Sequence, residues 1–247
     1  MPISAGRTAN PPDALEQPVF TLNEYIRRYT TISAAIDILR RRELPLLNPA
    51  NWDDRNDRYF MELYKSAKSL SSLYALCAAR CSETYHHWRV FTGAADGACL
   101  ELKRKPLEKA LDGLSNVRYG NVDYLLLGDV ERLAHRDVNR LPFVKRHGFA
   151  AEEEYRIILE SDGPQTAAQS VELPLSFIGR VYLNPWLPRA VAESVIATVR
   201  EIPGCARVNV QRSHLIDSAR WKEAGDRVVG VRAAKPAHVL KLKRMKT

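Results

Sequence analysis

The sequence predicts a single α+β domain, a mixed and mostly antiparallel sheet with flanking helices. Three observations predict it. Short apolar runs of strand length are interspersed with amphipathic stretches of helix length. No internal repeat, heptad seam or low-complexity block interrupts them, and no linker is long enough to split the chain. The 247 residues suffice for one sizeable core. The domain is expected over residues 21–234, after a disordered lead-in at 1–20 and before a basic tail at 235–247.

The lead-in holds Pro11, Pro12 and Pro18, which oppose regular structure. The first helix is expected in "TTISAAIDILRRRE", with Ile32, Ala35, Ile36 and Leu39 on one stripe and Thr30 or Thr31 as cap. Arg40, Arg41 and Arg42 suit its C-terminal dipole. A short strand, "ELPLLNP", follows, and then the polar loop "ANWDDRNDRYF". "SSLYALCAARCSE" reads as a buried strand ending at Ser82. "YHHWRVFTGAADG" is a short helix or loop before the strand "ACLELKR". Pro106 suits the first position of a helix that aligns Leu107, Ala110, Leu111 and Leu114. "VRYGNVDYL" contains a strand. "GDVERLAHRDVNRLPFVKRHG" is helix-like, with Gly148 as its stop. Residues 152–159 form a strand, as does "FIGRVYLNP". Pro188 starts the helix "PRAVAESVIATVREIPG", and "ARVNVQRS" alternates as a late strand.

Hydrophobic residues at 45% and charged residues at 27% describe an ordinary globular chain. No stretch approaches the roughly 20 apolar residues of a membrane span, and the N-terminus lacks a secretory pattern. A cytoplasmic location follows, with Cys77, Cys81, Cys99 and Cys205 as thiols. Cys77 and Cys81 lack a second ligand pair, so no metal is expected. The formal net charge is +8, partly from Lys241, Lys243, Arg244 and Lys246. That charge favours nucleic acid or a phosphorylated ligand without specifying one.

The densest chemistry is "AAEEEYRIILES", residues 150–161. On an extended strand Glu152, Glu154, Arg156 and Ile158 share one face, and Glu153, Tyr155, Ile157 and Leu159 the other. Same-face neighbours lie roughly 7 Å apart. Glu152 and Glu154 would then bracket a sugar-sized space, with Arg156 keeping one of them ionised. Such carboxylates can orient a ribose hydroxyl or stabilise an oxocarbenium ion. They equally suit an exposed polar sheet face. Asp53 and Asp54 can cap a helix or hold a cation. His86 and His87 are adjacent, so at most one faces a site. A Ser/His/Asp hydrolase lacks its Gly-x-Ser-x-Gly elbow, and no Rossmann or Walker fingerprint occurs.

Three ordered motifs resemble the bacterial family catalogued as domain of unknown function 2971. "NPANWDDRND" resembles its Asn-Asp-Pro loop: Asp54 matches, Asp53 replaces asparagine, Arg55 replaces proline, and Trp52 stands for phenylalanine. In "CSETYHHWRVFTGAADGACLELK", Ser82, Trp88 and Gly97 match, with Phe91 for tyrosine. In "KRHGFAAEEEYR", Lys145, Glu152, Glu154, Tyr155 and Arg156 match, with Phe149 for tryptophan. The resemblance spans about residues 25–220 and marks a divergent member. The same order is similar to that of ADP-ribosyltransferases: an arginine or tyrosine on an early strand, a serine ending a middle strand, then Glu-x-Glu.

That similarity implies an NAD-dependent transferase without a metal, acting as an effector of bacterial antiphage defence or as a toxin. It implies Glu154 and Glu152 as catalytic groups. Arg28, Tyr29, Ser82, Trp88, Tyr155 and Arg156 would bind NAD, arginine forking onto pyrophosphate and an aromatic stacking on nicotinamide. Trp88 and Ser82 also suit plain structural roles, as a core anchor and a strand end. The acceptor would be a nucleic acid or protein. A different class stands beside it: a non-catalytic module binding nucleic acid or a protein partner through Arg40–Arg42 and the basic tail. A metal-dependent nuclease using Asp53, Asp54 and Glu154 is less favoured.

Overall fold

The computed structural model describes residues 24–230. The lead-in at 1–20 and the tail at 235–247 lie outside the described residues. The described chain forms one nine-stranded sheet with helices packed on it, the expected α+β class.

Strand β1 (Tyr25–Thr31) runs antiparallel to β4 (Gly97–Lys103) over its whole length, from Tyr25↔Lys103 to Thr31↔Gly97. Thr31 then changes role. Its hydroxyl accepts from the Ala34 amide at 3.2 Å and so caps helix α1 (Ile32–Arg41). Ala35, Ile38 and Leu39 bury the inner face of α1. Ile32 and Ile36 are only half-buried against the same core.

Next, β2 (Glu43–Leu47) pairs with β9 (Ala168–Glu172). The expected polar loop gives way to helix α2 (Arg55–Ala67), which Asp54 starts by accepting from the Asn56 and Asp57 amides. Its inner face is Asp57, Met61 and Tyr64. Only Met61 is plainly apolar, which is why periodicity did not show the helix.

The core ladder joins β3 (Ser72–Ala79) to β8 (Glu154–Ser161), in register from Ser72↔Ser161 to Ala79↔Glu154. On the far side of β8 lies β5 (Val117–Asn121). Helix α3 (Tyr85–Phe91) follows β3, and α4 (Arg104–Leu111) follows β4. Pro106 is the third residue of α4 rather than the first. Gly97 opens β4 where no other residue fits, since an added Cβ would lie 2.4 Å from Thr92 Cβ.

The long helix expected over 128–148 does not form. The segment breaks into α5 (Leu127–Val130), a 3-10 stretch over His135–Phe143 and the short strand β7 (Val144–Arg146). Pro142 lacks an amide hydrogen and opposes a continued α-helix. β7 pairs in parallel with β6 (Asp123–Leu125). The rest follows expectation: β10 (Ile178–Leu183), α6 (Arg189–Glu201) behind Pro188, and β11 (Val210–Arg212). Helix α7 (Ala219–Val228) closes the described chain.

The sheet is splayed at its middle. Between β1 and β3 a single pair, Arg27↔Ala79, is in register. Likewise β2 and β3 meet only at Leu47↔Ala75. One block is therefore β11-β10-β4-β1, the other is centred on β3 and β8, and a seam runs between them.

Candidate active site

The seam gathers side chains from four distant segments. From β1, Arg27 donates to the Cys81 carbonyl at 2.7 Å and pairs with Glu101, also at 2.7 Å. Arg28 donates to the Cys77 carbonyl at 3.0 Å. Both arginines thus stitch β1 to the end of β3, where the ladder itself provides almost nothing. Ser82 follows directly and is exposed. Tyr29 is buried and stacks on His87 at 5.4 Å between centroids, edge-on to Trp88 at 5.2 Å.

The third segment is α3. Trp88 is buried and its Nε1–H donates to Glu83 at 2.6 Å. His87 is also buried, whereas His86 is exposed. His87 Nε2 lies 3.0 Å from the Glu152 carbonyl, and Nδ1 lies 2.6 Å from the Thr84 hydroxyl. A carbonyl only accepts, so Nε2 carries the proton and Nδ1 accepts from Thr84. Burial pushes the imidazole pKa down, against the opposing bond to the Glu152 carbonyl.

The fourth segment is the glutamate turn, and here the expected strand begins late. Residues His147–Glu152 form a 3-10 turn, Glu153 is left-handed at φ +43° and ψ +50°, and only Glu154 onward is strand. The expected common face therefore holds for Glu154, Arg156 and Ile158 but not for Glu152 by strand alternation. Glu152 nevertheless reaches the same place, because the turn swings its side chain back. The space between the two carboxylates is not empty. Lys145 Nζ fills it, 2.5 Å from Glu152 and 3.3 Å from Glu154.

Arg156 is fully buried and completes this cluster. Its Nε donates to Glu154 at 2.7 Å, and its two terminal nitrogens grip Asp57 at 2.8 and 2.7 Å. One of these nitrogens also donates to the Pro142 carbonyl at 2.8 Å, and the Trp52 ring lies 4.8 Å from the guanidinium carbon. Every polar atom of the guanidinium edge is thus matched, as burial of a charge demands. Burial works to raise the Glu154 pKa, but the charge and hydrogen bond of Arg156, aided by Lys145, bring it down to about 2. Asp57 and Glu152 are pushed the other way. Burial raises both, and Arg156 and Lys145 respectively recover only part of it.

Tyr155, the next residue, faces the opposite side of β8. Its hydroxyl donates to Glu108 at 2.7 Å under Arg104, within the main core. The structure therefore brings Arg28, Tyr29, Ser82 and Trp88 to the seam, sets Glu152, Glu154 and Arg156 in a closed charge cluster beside it, and directs Tyr155 elsewhere. Sequence reasoning missed Asp57, Arg27 and Tyr124, whose hydroxyl accepts from the Glu154 amide at 2.7 Å. Asp57 had one signal: an Asp54 cap places it in the first turn of α2, facing inward. A groove of about 440 Å³ between α2 and β3, lined by Arg55, Arg58, Tyr59 and Leu73 among others, lies apart from the seam.

No family model matches the chain, and no curated protein matches it. Solved structures of DarT from Thermus sp. 2.9 do. DarT in complex with NAD+ is 12% identical over 77% of this chain and 96% of that one, with a TM-score of 0.41. DarT in complex with ADP-ribosylated ssDNA is 13% identical over 77% and 94%, with a TM-score of 0.42.

Proposed function

We propose that this protein is an NAD-dependent, ADP-ribosyltransferase-like enzyme whose site is the seam between β1, the end of β3 and the glutamate turn. One observation carries the proposal. An arginine-tyrosine strand, the Cys81–Ser82 segment just past the end of β3 at Ala79, and an acidic turn, far apart in sequence, meet where β1 and β3 share a single registered pair.

Each group then has a task. Arg28 uses one nitrogen on a carbonyl and keeps donors for a pyrophosphate. Phe91 is the exposed ring offered to nicotinamide, backed by the buried Tyr29 and Trp88. The Ser82 hydroxyl faces the nicotinamide ribose. A carboxylate of the 152–154 turn, with Glu154 and Glu152 as the sequence candidates, stabilises the ribose cation as its glycosidic bond loosens. Arg156 and Lys145 hold the turn. With NAD as co-substrate, this reading puts the work in a cytoplasm, where thiols stay reduced.

The test is incubation of the full chain with labelled NAD and with single-stranded DNA, RNA or cell protein. Nicotinamide release and transfer of label to one acceptor are expected. A wild-type protein that releases no nicotinamide and binds no NAD ends the proposal. A toxin or defence effector also arrests growth of its host when overexpressed, and its inactive variant does not.

A second reading draws on the neighbouring surface. The Arg89 guanidinium sits 3.8 Å from the Trp186 ring centroid, and Tyr85 packs edge-on to the same ring at 5.4 Å. Basic and aromatic groups so interleaved suit a nucleic-acid strand. If the chain is a non-catalytic module, binding to single strands weakens steeply with salt while NAD stays intact.

A further inference from the structure

We infer that the working carboxylate of the seam is Glu153, the middle glutamate, and that Glu152 and Glu154 serve to hold it in place. The inference rests on the transferase reading above and names its acid.

The outer glutamates are already engaged. Glu154 is shared between Arg156 and Lys145, and Glu152 lies on Lys145. Both are nearly dry, at 3% and 8% exposure. Turning either one toward a substrate would take a carboxylate partner from a buried cation. Their charge is also neutralised locally, which weakens any pull on a developing ribose cation.

Glu153 differs in each respect. Its side chain is exposed and makes no ion pair among the described residues. Its backbone adopts φ +43°, a conformation that a residue with a Cβ rarely keeps without cause. The cause is a ring of hydrogen bonds drawn from across the fold. The Glu153 amide donates to Ala150 at 3.2 Å, and the Arg80 amide donates to the Glu153 carbonyl at 2.9 Å. On either side, His87 holds the Glu152 carbonyl and Tyr124 the Glu154 amide. All the backbone around Glu153 is pinned, and its carboxylate alone is left free. The turn itself abuts α3 and the end of β3, through His87 on the Glu152 carbonyl at 3.0 Å and the Arg80 amide on the Glu153 carbonyl at 2.9 Å, and after burial the Glu153 charge is the next cause raising the Cys81 thiol pKa. Cys81 is the residue before Ser82, and its carbonyl is held by Arg27.

The step balances without a further reagent. The bond from ribose C1′ to the nicotinamide nitrogen breaks, and its electron pair leaves with neutral nicotinamide. An acceptor hydroxyl, or water, forms the new bond to C1′. Its proton passes to Glu153 and from there to solvent. Before that, the carboxylate stabilises the cation at C1′.

The experiment compares wild type, Glu153→Gln, Glu154→Gln and Glu152→Gln for nicotinamide release, binding of labelled NAD by dialysis, and melting temperature. For Glu153→Gln we expect release to fall by about 100-fold or more, with NAD binding and melting temperature kept. For Glu154→Gln we expect the melting temperature to fall. A Glu153→Gln protein as active as wild type overturns the inference while leaving the transferase reading intact. So does a Glu154→Gln or Glu152→Gln protein that melts like wild type, binds NAD and is inert. A wild type that neither binds nor cleaves NAD overturns both.

Discussion

On the α2 side of the glutamate turn, five charged side chains close on one another: Asp57, Lys145, Glu152, Glu154 and Arg156. On the other side of the same turn, the Glu153 side chain is exposed, its carbonyl held by the Arg80 amide at 2.9 Å. Three consecutive glutamates thus meet opposite fates. The difference teaches that acidity alone does not mark a catalytic residue. A carboxylate with matched cations in a dry setting is structural material, and one held out by its backbone is available for chemistry.

The largest test breaks the closed side. Arg156→Ala leaves Asp57 and Glu154 buried without their main partner, and should cost about 3–5 kcal/mol in chemical denaturation. Ser82→Ala, on the open side, should leave the denaturation midpoint where it is.

Acid titration sharpens the contrast. The folded pKa of Glu154 is lowered from 4.5 to about 2. Its contribution is therefore present above about pH 4.5 and is lost as pH falls towards 2. Asp57 and Glu152 are raised and carry the opposite sign, losing stability as pH rises. Comparison with Glu154→Gln isolates the first effect. The wild-type advantage at neutral pH, on the order of 3 kcal/mol, should shrink steadily below pH 4.5. An advantage independent of pH would show that the glutamate charge is not what matters there.

Glycine at position 153 removes the Cβ that the left-handed backbone resists. Glu153→Gly should stabilise the fold by about 1 kcal/mol, read as a higher melting temperature, while abolishing the NAD cleavage proposed for the seam. The smallest effect is expected at Tyr29, whose buried hydroxyl has no hydrogen-bond partner among the described residues. Tyr29→Phe should change stability by less than about 1 kcal/mol, in the stabilising direction. A larger loss would reveal a hidden partner for that oxygen.

Much of the scaffold was legible in the chain. β4 and β10 announced themselves by apolar runs, α6 by its proline start, and α1 by its stripe and threonine cap. Helix α2 was hidden because two of its three buried residues, Asp57 and Tyr64, are polar or amphipathic. The 128–148 stretch looked helical by period, yet Pro142 and the parallel pairing of β6 with β7 took it apart. The order of motifs pointed to Arg28, Tyr29 and Ser82, and the fold carries the first two on β1 and the third just past β3. The partners that decide each glutamate's role were not: Asp57 sits 99 positions from Arg156, beyond any local pattern.

By itself the sequence determined what neighbours in the chain can settle: a threonine cap on α1, at Thr30 or Thr31, and the alternation of Glu154, Arg156 and Ile158 against Tyr155, Ile157 and Leu159. Only the tertiary structure decided which acid is sealed and which is free. Arg80, His87 and Tyr124 impose the left-handed turn at Glu153 through bonds to its backbone and its neighbours'. Those donors and acceptors arrive from other strands and helices, and local preference reaches only a few residues along the chain.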